Sequence, residues 1–223
     1  MTFGKKVTQF YRNISAPENT PKGVEVLHPY QAPVVMNIVR EFFEKYFNDQ
    51  QKRTFLIGIN PGRFGGGITG IPFTDPVKLE EHLDIDHPFD QRAELSSNFV
   101  YEMIDALGGP EKFYGAFYIT SVCPLGFMKD GKNLNYYDIK SLQDKLEPYM
   151  VRHLKEQIGF GARPIAYSMG KGKNIKYLEK LNKKHQLFED VKPLPHPRWV
   201  MQYRLKRKEE FIQEYEKALT PWM

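Results

Sequence analysis

Apolar positions recur at three- and four-residue spacing over residues 32–47, where Val35, Ile38, Phe42 and Tyr46 share one face. That period predicts an amphipathic helix, and Pro33 suits its first turn. Residues 54–59 are instead a short unbroken apolar run, with charge before it and Asn60-Pro61-Gly62 after it. Such a run predicts a buried parallel strand that ends in a tight turn. Three further strands are expected, over residues 113–122, 164–168 and 187–194. Helices are expected from Ser96 or Ser97 as cap to Leu107, where Gly108-Gly109-Pro110 stops it, and over residues 138–157 with Asp138 as N-cap. Another passes through Ile175, Leu178 and Leu181, and a last one covers residues 200–219. The first 30 residues read as polar, with turn formers over residues 15–23.

Strands alternating with helices at this spacing predict an α/β fold, a three-layer α/β/α sandwich around a four-stranded parallel sheet. The whole chain, 1–223, is expected to be one domain, with residues 1–50 an N-terminal extension that carries the amphipathic helix. No repeat or low-complexity segment interrupts it. Ligands of such sheets bind beyond the carboxyl ends of the strands. That rule selects the segments after Ile59, Ile119 and Leu194.

Composition narrows the classes. The chain has 223 residues, 41% hydrophobic and 26% charged, which is ordinary globular usage rather than disorder. No apolar run approaches the roughly 18 residues of a membrane span, and the N-terminus lacks the apolar stretch of a signal peptide. The single cysteine, Cys123, excludes a disulfide framework and a multi-cysteine zinc site. A soluble, cytoplasmic protein is expected. Its net charge of +5 is unevenly spread: residues 152–208 hold 15 basic and 4 acidic side chains, a balance of +11. That stretch is either a phosphate-contacting surface or a set of solvated helix faces.

Three segments can carry chemistry. Residues 58–73 hold six glycines, a backbone that turns sharply and approaches something closely. They lack the Lys-Ser/Thr pair of a nucleoside-triphosphate loop and open no helix with GxGxxG, and they end in the stiff pair Pro72-Phe73. A glycine-rich turn over a core Phe fits them equally. In Pro195-His196-Pro197 a histidine is held on a stiff backbone at a strand's carboxyl end, with Arg198 and Trp199 following. No other histidine has such a setting; His82 to His87 is a polar loop or a metal site without a recognisable ligand spacing. Cys123, in apolar company, reads as a packed thiol.

Together these segments resemble the uracil-DNA glycosylase superfamily, in particular its single-strand-selective monofunctional branch. The family's first motif, Gly-Met-Asn-Pro-Gly-Pro-Phe-Gly then Thr-Gly-Val-Pro-Phe, is matched in order by Gly58 to Phe73. Cys123-Pro124-Leu125 and Gly131-Lys132-Asn133 are also similar, and His196-Pro197-Arg198 stands for the motif His-Pro-Ser-Pro-Arg. The resemblance covers residues 54–215. It implies hydrolysis of the N-glycosidic bond of uracil, or of a 5-substituted uracil, in DNA, as a step of base excision repair. Asn60 and His196 would be catalytic, Asn60 orienting the attacking water and His196 bonding the departing base. Gly62, Phe64, Gly70, Phe73 and Ser121 would bind the base, and Lys132, Arg198 and Trp199 the DNA. DNA would be the partner of a monomer that needs neither metal nor cofactor.

Two departures stand out. The family's edge-reading Asn is replaced by Ser121, a single-point donor or acceptor where an amide makes two bonds. The Ser-Pro pair after the histidine is missing, so the wedge that fills the vacated stack differs. A catalytically silent DNA-binding member, a glycosylase for another modified base and a nucleotide phosphotransferase are the rivals; the absent Gly-Lys-Ser/Thr argues against the last.

Overall fold

Four parallel strands form the central sheet. The computed structural model describes residues 1–18 and 20–223, so the turn expected over residues 15–23 includes one residue, Asn19, outside them. The first half of the chain runs α1 (Phe3–Asn13), β1 (Val24–Leu27), α2 (Pro33–Tyr46), β2 (Arg53–Gly58), α3 (Gly66–Thr69), α4 (Pro76–Glu81) and α5 (Leu95–Ala106). Next come α6 (Pro110–Ala116), β3 (Phe117–Ser121), β4 (Gly126–Lys129), β5 (Lys132–Leu134) and α7 (Lys140–Ile158). The remainder is β6 (Ala162–Met169), α8 (Lys173–His185), β7 (Asp190–Leu194), α9 (Pro197–Tyr203) and α10 (Lys208–Leu219). The parallel strands lie in the order β3-β2-β6-β7. The expected α/β architecture with a four-stranded parallel sheet is borne out. β2 is buried along its whole length, as a central strand covered by helices must be. The edge strand β7 tolerates Pro193, whose missing N–H interrupts nothing there.

Several elements differ from expectation. Residues 3–13 are helical: Phe3, Val7, Phe10 and Tyr11 make a buried stripe, diluted in sequence by the polar residues between them. α5 starts after Glu94, and Ser97 lies inside it, its hydroxyl accepting the Asp75 N–H at 3.3 Å. Residues 110–116 form α6, opened by Pro110, so β3 is shorter than its apolar run. Asp138 closes a turn by accepting the Asn135 N–H at 2.9 Å, and α7 begins two residues later. The closing helix is two helices, parted by a 3-10 turn over Leu205–Arg207. A second, antiparallel sheet, β1-β4-β5, has no counterpart among the expected elements.

The amino end of β2 is sealed by aromatic rings and one cation. The Arg53 side chain is fully buried between the rings of Phe3 and Phe47, 4.8 and 4.6 Å from their centroids. Its Nε donates to the Tyr114 carbonyl at 2.7 Å, and its two terminal nitrogens form a fork on Asp49 at 2.8 Å each. The remaining N–H groups reach the carbonyls of Gln51 and Tyr46 at 3.1 and 3.4 Å. Every donor is satisfied, which is the condition for burying a guanidinium. Arg53 in turn holds the Asp49 carboxyl below the usual carboxylate range.

Candidate active site

At the other end of β2 the chain leaves the sheet through Ile59-Asn60-Pro61 and enters the glycine-rich loop. α3 is a single turn ended by Gly70 in the left-handed region, φ 76°. A side chain at Gly70 would meet Val35 and Val39 of α2 at 2.7 and 2.8 Å, and the Gly70 carbonyl accepts the Tyr30 hydroxyl at 3.1 Å. Thr69 then ties the loop back by donating to the Thr74 carbonyl at 2.7 Å. The result is that Phe73 is held at φ 55°, a conformation costly for a bulky residue and kept only where surroundings enforce it. Its ring lies 2.8 Å from where a Cβ on residue 58 would be, which is why Gly58 is glycine.

A cavity of about 880 Å³ opens beyond the carboxyl ends of the strands. Asn60, Gly62, Phe64, Phe73, Ser121, Lys132, His196, Arg198 and Trp199 all line it. Gly70 is not among the lining residues; it ends α3 and approaches α2 closely. The lining residues come from the ends of β2, β3 and β7 and from the β4–β5 hairpin, separated by more than a hundred positions in sequence and joined by the parallel topology.

The Asn60 amide is clamped by the last residue of β5 and the turn that follows it. Its Oδ1 accepts the Tyr136 N–H at 3.0 Å, and its Nδ2 donates to the Leu134 carbonyl at 3.2 Å. Both ends of the amide are thereby assigned, and the second lone pair of Oδ1 remains for a ligand or water. His196 is fixed by its own helix. As N-cap of α9 its Nδ1 accepts the Arg198 N–H at 3.1 Å, which places the proton of the neutral ring on Nε2. Burial, and next the Arg198 charge, pull its pKa down to about 4. At neutral pH the cavity therefore meets an uncharged N–H donor. The Phe73 and His196 ring centroids are 6.1 Å apart.

Ser121 ends β3, and its hydroxyl is 3.4 Å from where a Cβ on residue 58 would stand, the same point that the Phe73 ring approaches. Phe64 carries two guanidinium groups against its ring, Arg63 at 4.3 Å and Arg92 at 3.6 Å from the centroid. Trp199 is 40% exposed, edge-on to Phe211 and covered by Arg204. Sequence reasoning missed Glu94, whose carboxylate packs against the Gly62–Gly65 turn and lines the cavity. Burial raises its pKa, opposed by Arg198. Nothing in its local sequence marks it.

The basic stretch over residues 152–208 is divided by topology. A helix after a parallel strand starts at the carboxyl end and runs back, so Lys173 at the start of α8 lines the cavity. Lys180, Lys184 and His185, near its far end, gather instead around Glu147. Of the two readings of this stretch each holds for part of it: Lys171, Lys173 and Arg198 line the cavity, while the far end of α8 is a charged helix face. His82 and His87 serve local contacts with Asp105 and the Pro76 carbonyl; among the described residues no cluster of three ligands could hold a metal. No helix among them is long and apolar enough to cross a membrane. Cys123 is fully buried, with its thiol pushed up to about 12.

The model of the Uracil DNA glycosylase superfamily matches residues 44–220. The crystal structure of wild-type SMUG2 from Pedobacter heparinus is similar with a TM-score of 0.96 and 40% sequence identity, over 99% of this chain and 98% of that one. That likeness takes in the first 50 residues, which the sequence motifs leave uncovered.

Proposed function

The chain belongs to the uracil-DNA glycosylase superfamily, and from that premise we propose that it hydrolyses the N-glycosidic bond of uracil in DNA. The observation that carries this reading is the Arg198 N–H held on His196 Nδ1, which leaves Nε2 as the ring's donor in the same cavity as Asn60 and Phe73. As the bond to C1′ lengthens, negative charge gathers on the pyrimidine oxygens, and a positioned donor stabilises the charge where it develops. A neutral donor is suited to that task because it lends a hydrogen bond without having to lose a proton. Asn60, its amide turned by Tyr136 and Leu134, orients the water through the free lone pair of Oδ1. An amide abstracts no proton, so the water attacks a bond already largely broken, and its proton passes, through solvent, to the departed uracil anion, which leaves as neutral uracil.

The base has to leave the helical stack to enter the cavity. Phe73 stacks on it, Gly62 and Phe64 shape the walls, and Ser121 contacts its edge. Lys132 and Arg198 hold flanking phosphates, while Trp199 fills the gap left in the stack. With an amide rather than an amine facing C1′, the product is an abasic site with the strand intact, the first intermediate of base excision repair.

The test is a labelled oligonucleotide containing one uracil, single- and double-stranded, with alkali to reveal abasic sites. Wild type should yield strand breaks only after alkali. Asn60→Ala and His196→Ala should each slow a single turnover by roughly 10²–10³-fold. Absence of alkali-labile product from wild type on both substrates would sink the proposal.

A further inference from the structure

The hydrogen bonds behind Asn60 do not stop at Tyr136. That residue is fully buried in the turn between β5 and α7, and its hydroxyl donates to Asn174 Oδ1 at 2.9 Å. Asn174, buried in the first turn of α8, donates from Nδ2 to the carbonyls of Ile57 and Gly58, both at 3.3 Å, and to the Ser168 hydroxyl at 3.1 Å. Ser168 donates in turn to the Gly170 carbonyl at 3.2 Å, and the Gly170 N–H donates to the Leu194 carbonyl at 2.8 Å. Leu194 ends the strand that delivers His196 two residues later. Gly170 lies close to the His196 ring: a Cβ there would sit 3.8 Å from its Cδ2. One run of bonds, part-buried at Asn60 and buried from Tyr136 to Ser168, thus starts on the side chain of Asn60 and ends on the backbone that carries His196.

We propose that Tyr136, Asn174 and Ser168 are positioning residues that set the separation of Asn60 from His196 across the cavity. The proposal rests on the reading of those two residues as the reacting pair. Asn60 and His196 each lie two residues beyond the ends of strands that are not neighbours, since β6 lies between β2 and β7. Sheet hydrogen bonds end before either residue, so their relative position depends on what ties the strand ends together. Asn174 does this by reaching across from the helix after β6 to the last carbonyls of β2. A network with every member paired is rigid, and the loss of one member leaves partners buried and unsatisfied. A reaction that needs a water on one face of C1′ and a donor on the departing base is sensitive to shifts of about 1 Å.

A double-mutant cycle separates positioning from simple stabilisation. Tyr136→Phe keeps the ring and removes only the hydroxyl. It should slow a single turnover on uracil-containing oligonucleotide by about 10- to 100-fold with unchanged affinity for the oligonucleotide. In the Asn60→Ala background the same change should alter the rate by less than about twofold, while Tm falls equally in both backgrounds. Ser168→Ala, paired with His196→Ala, repeats the test from the other end and serves if Tyr136→Phe does not fold. Rate losses that multiply in the double variants, or a wild-type rate for both single variants, overturn the proposal. A wild-type rate for Asn60→Ala overturns the reading of the site itself, a result distinct from the other two.

Discussion

β2 begins at Arg53, whose five N–H groups all have partners inside a shell of aromatic rings. At its other end it runs into Gly58, Asn60 and a loop around which several polar groups have none. Among the described residues the His196 Nε2, the Ser121 hydroxyl and the Glu94 carboxylate make no hydrogen bond within the chain. The two ends share strands, helices and core, yet one is closed to any further interaction and the other left open to a ligand. Unpaired polar groups beside an apolar ring are costly to an empty protein and useful to an occupied one, so the open end marks where binding energy is to be gained.

The sharpest way to break this contrast is at Arg53. Arg53→Ala strips the fork from Asp49 and the donor from Tyr114, and should lower stability by about 3–5 kcal/mol in urea unfolding. Below its melting temperature the variant should excise uracil within about twofold of wild type. A rate loss comparable to that of His196→Ala would show that the two ends are not separable.

Next in size is the response to acid. Burial, and next an arginine beside each, lower both His153 and His196 from 6.5 to about 4. His153 sits outside the cavity, against Phe10 and Tyr149, with Arg152 and Glu156 beside it. Both rings stay neutral in the fold but protonate near 6.5 when unfolded, so the unfolded chain binds more protons between these values. The stability these two rings contribute must therefore fall as pH drops from 6.5 through about 4 and change no further below, where protonation of Asp49 continues the loss. His153→Leu should remove part of that fall, about 2 kcal/mol, and leave the rate–pH profile as it is. The rate should stay level across neutral pH and decline only near 4, where protonation of Nδ1 breaks the bond from the Arg198 N–H. An acid limb near 6.5 would count against a neutral His196.

The smallest of the three concerns the last residue of β2, at the open end. In Gly58→Ala the new methyl meets the Phe73 ring at 2.8 Å, and the ring, already at a strained backbone position, must turn. Excision should slow by about tenfold with stability changed by no more than about 1–2 kcal/mol. An unaffected rate would mean that Phe73 does not need its observed pose.

Much of the open end is legible in the sequence because glycine and proline punctuate it. Asn60 before Pro61, Phe73 after Pro72 and His196 between two prolines each sit where backbone rules leave few alternatives, and the structure brings them to one cavity. Glu94, Tyr136 and Asn174 are not legible, since each lies in an unremarkable helix start or turn and meets its partners only through the fold. Gly70 belongs to the same contiguous motif, but the chain turns toward α2 at that point. Among the elements, α2 and β2 are plain because their apolar periods are long and unmixed. α1 hides its stripe among lysines and polar residues, and β1, β4 and β5 are three or four residues long, too short for any period to show.

The β1–β4 pairing also has a consequence in time. It joins Val24 to Lys129, and Gly126 within it presses against the Pro61 carbonyl at the root of the glycine-rich loop. The cavity wall itself extends to Phe211 in α10. A chain emerging from the ribosome therefore has no pocket until almost all of it has been made, although the loop that will form the pocket left the exit tunnel long before. The pocket is complete only once α10 has docked.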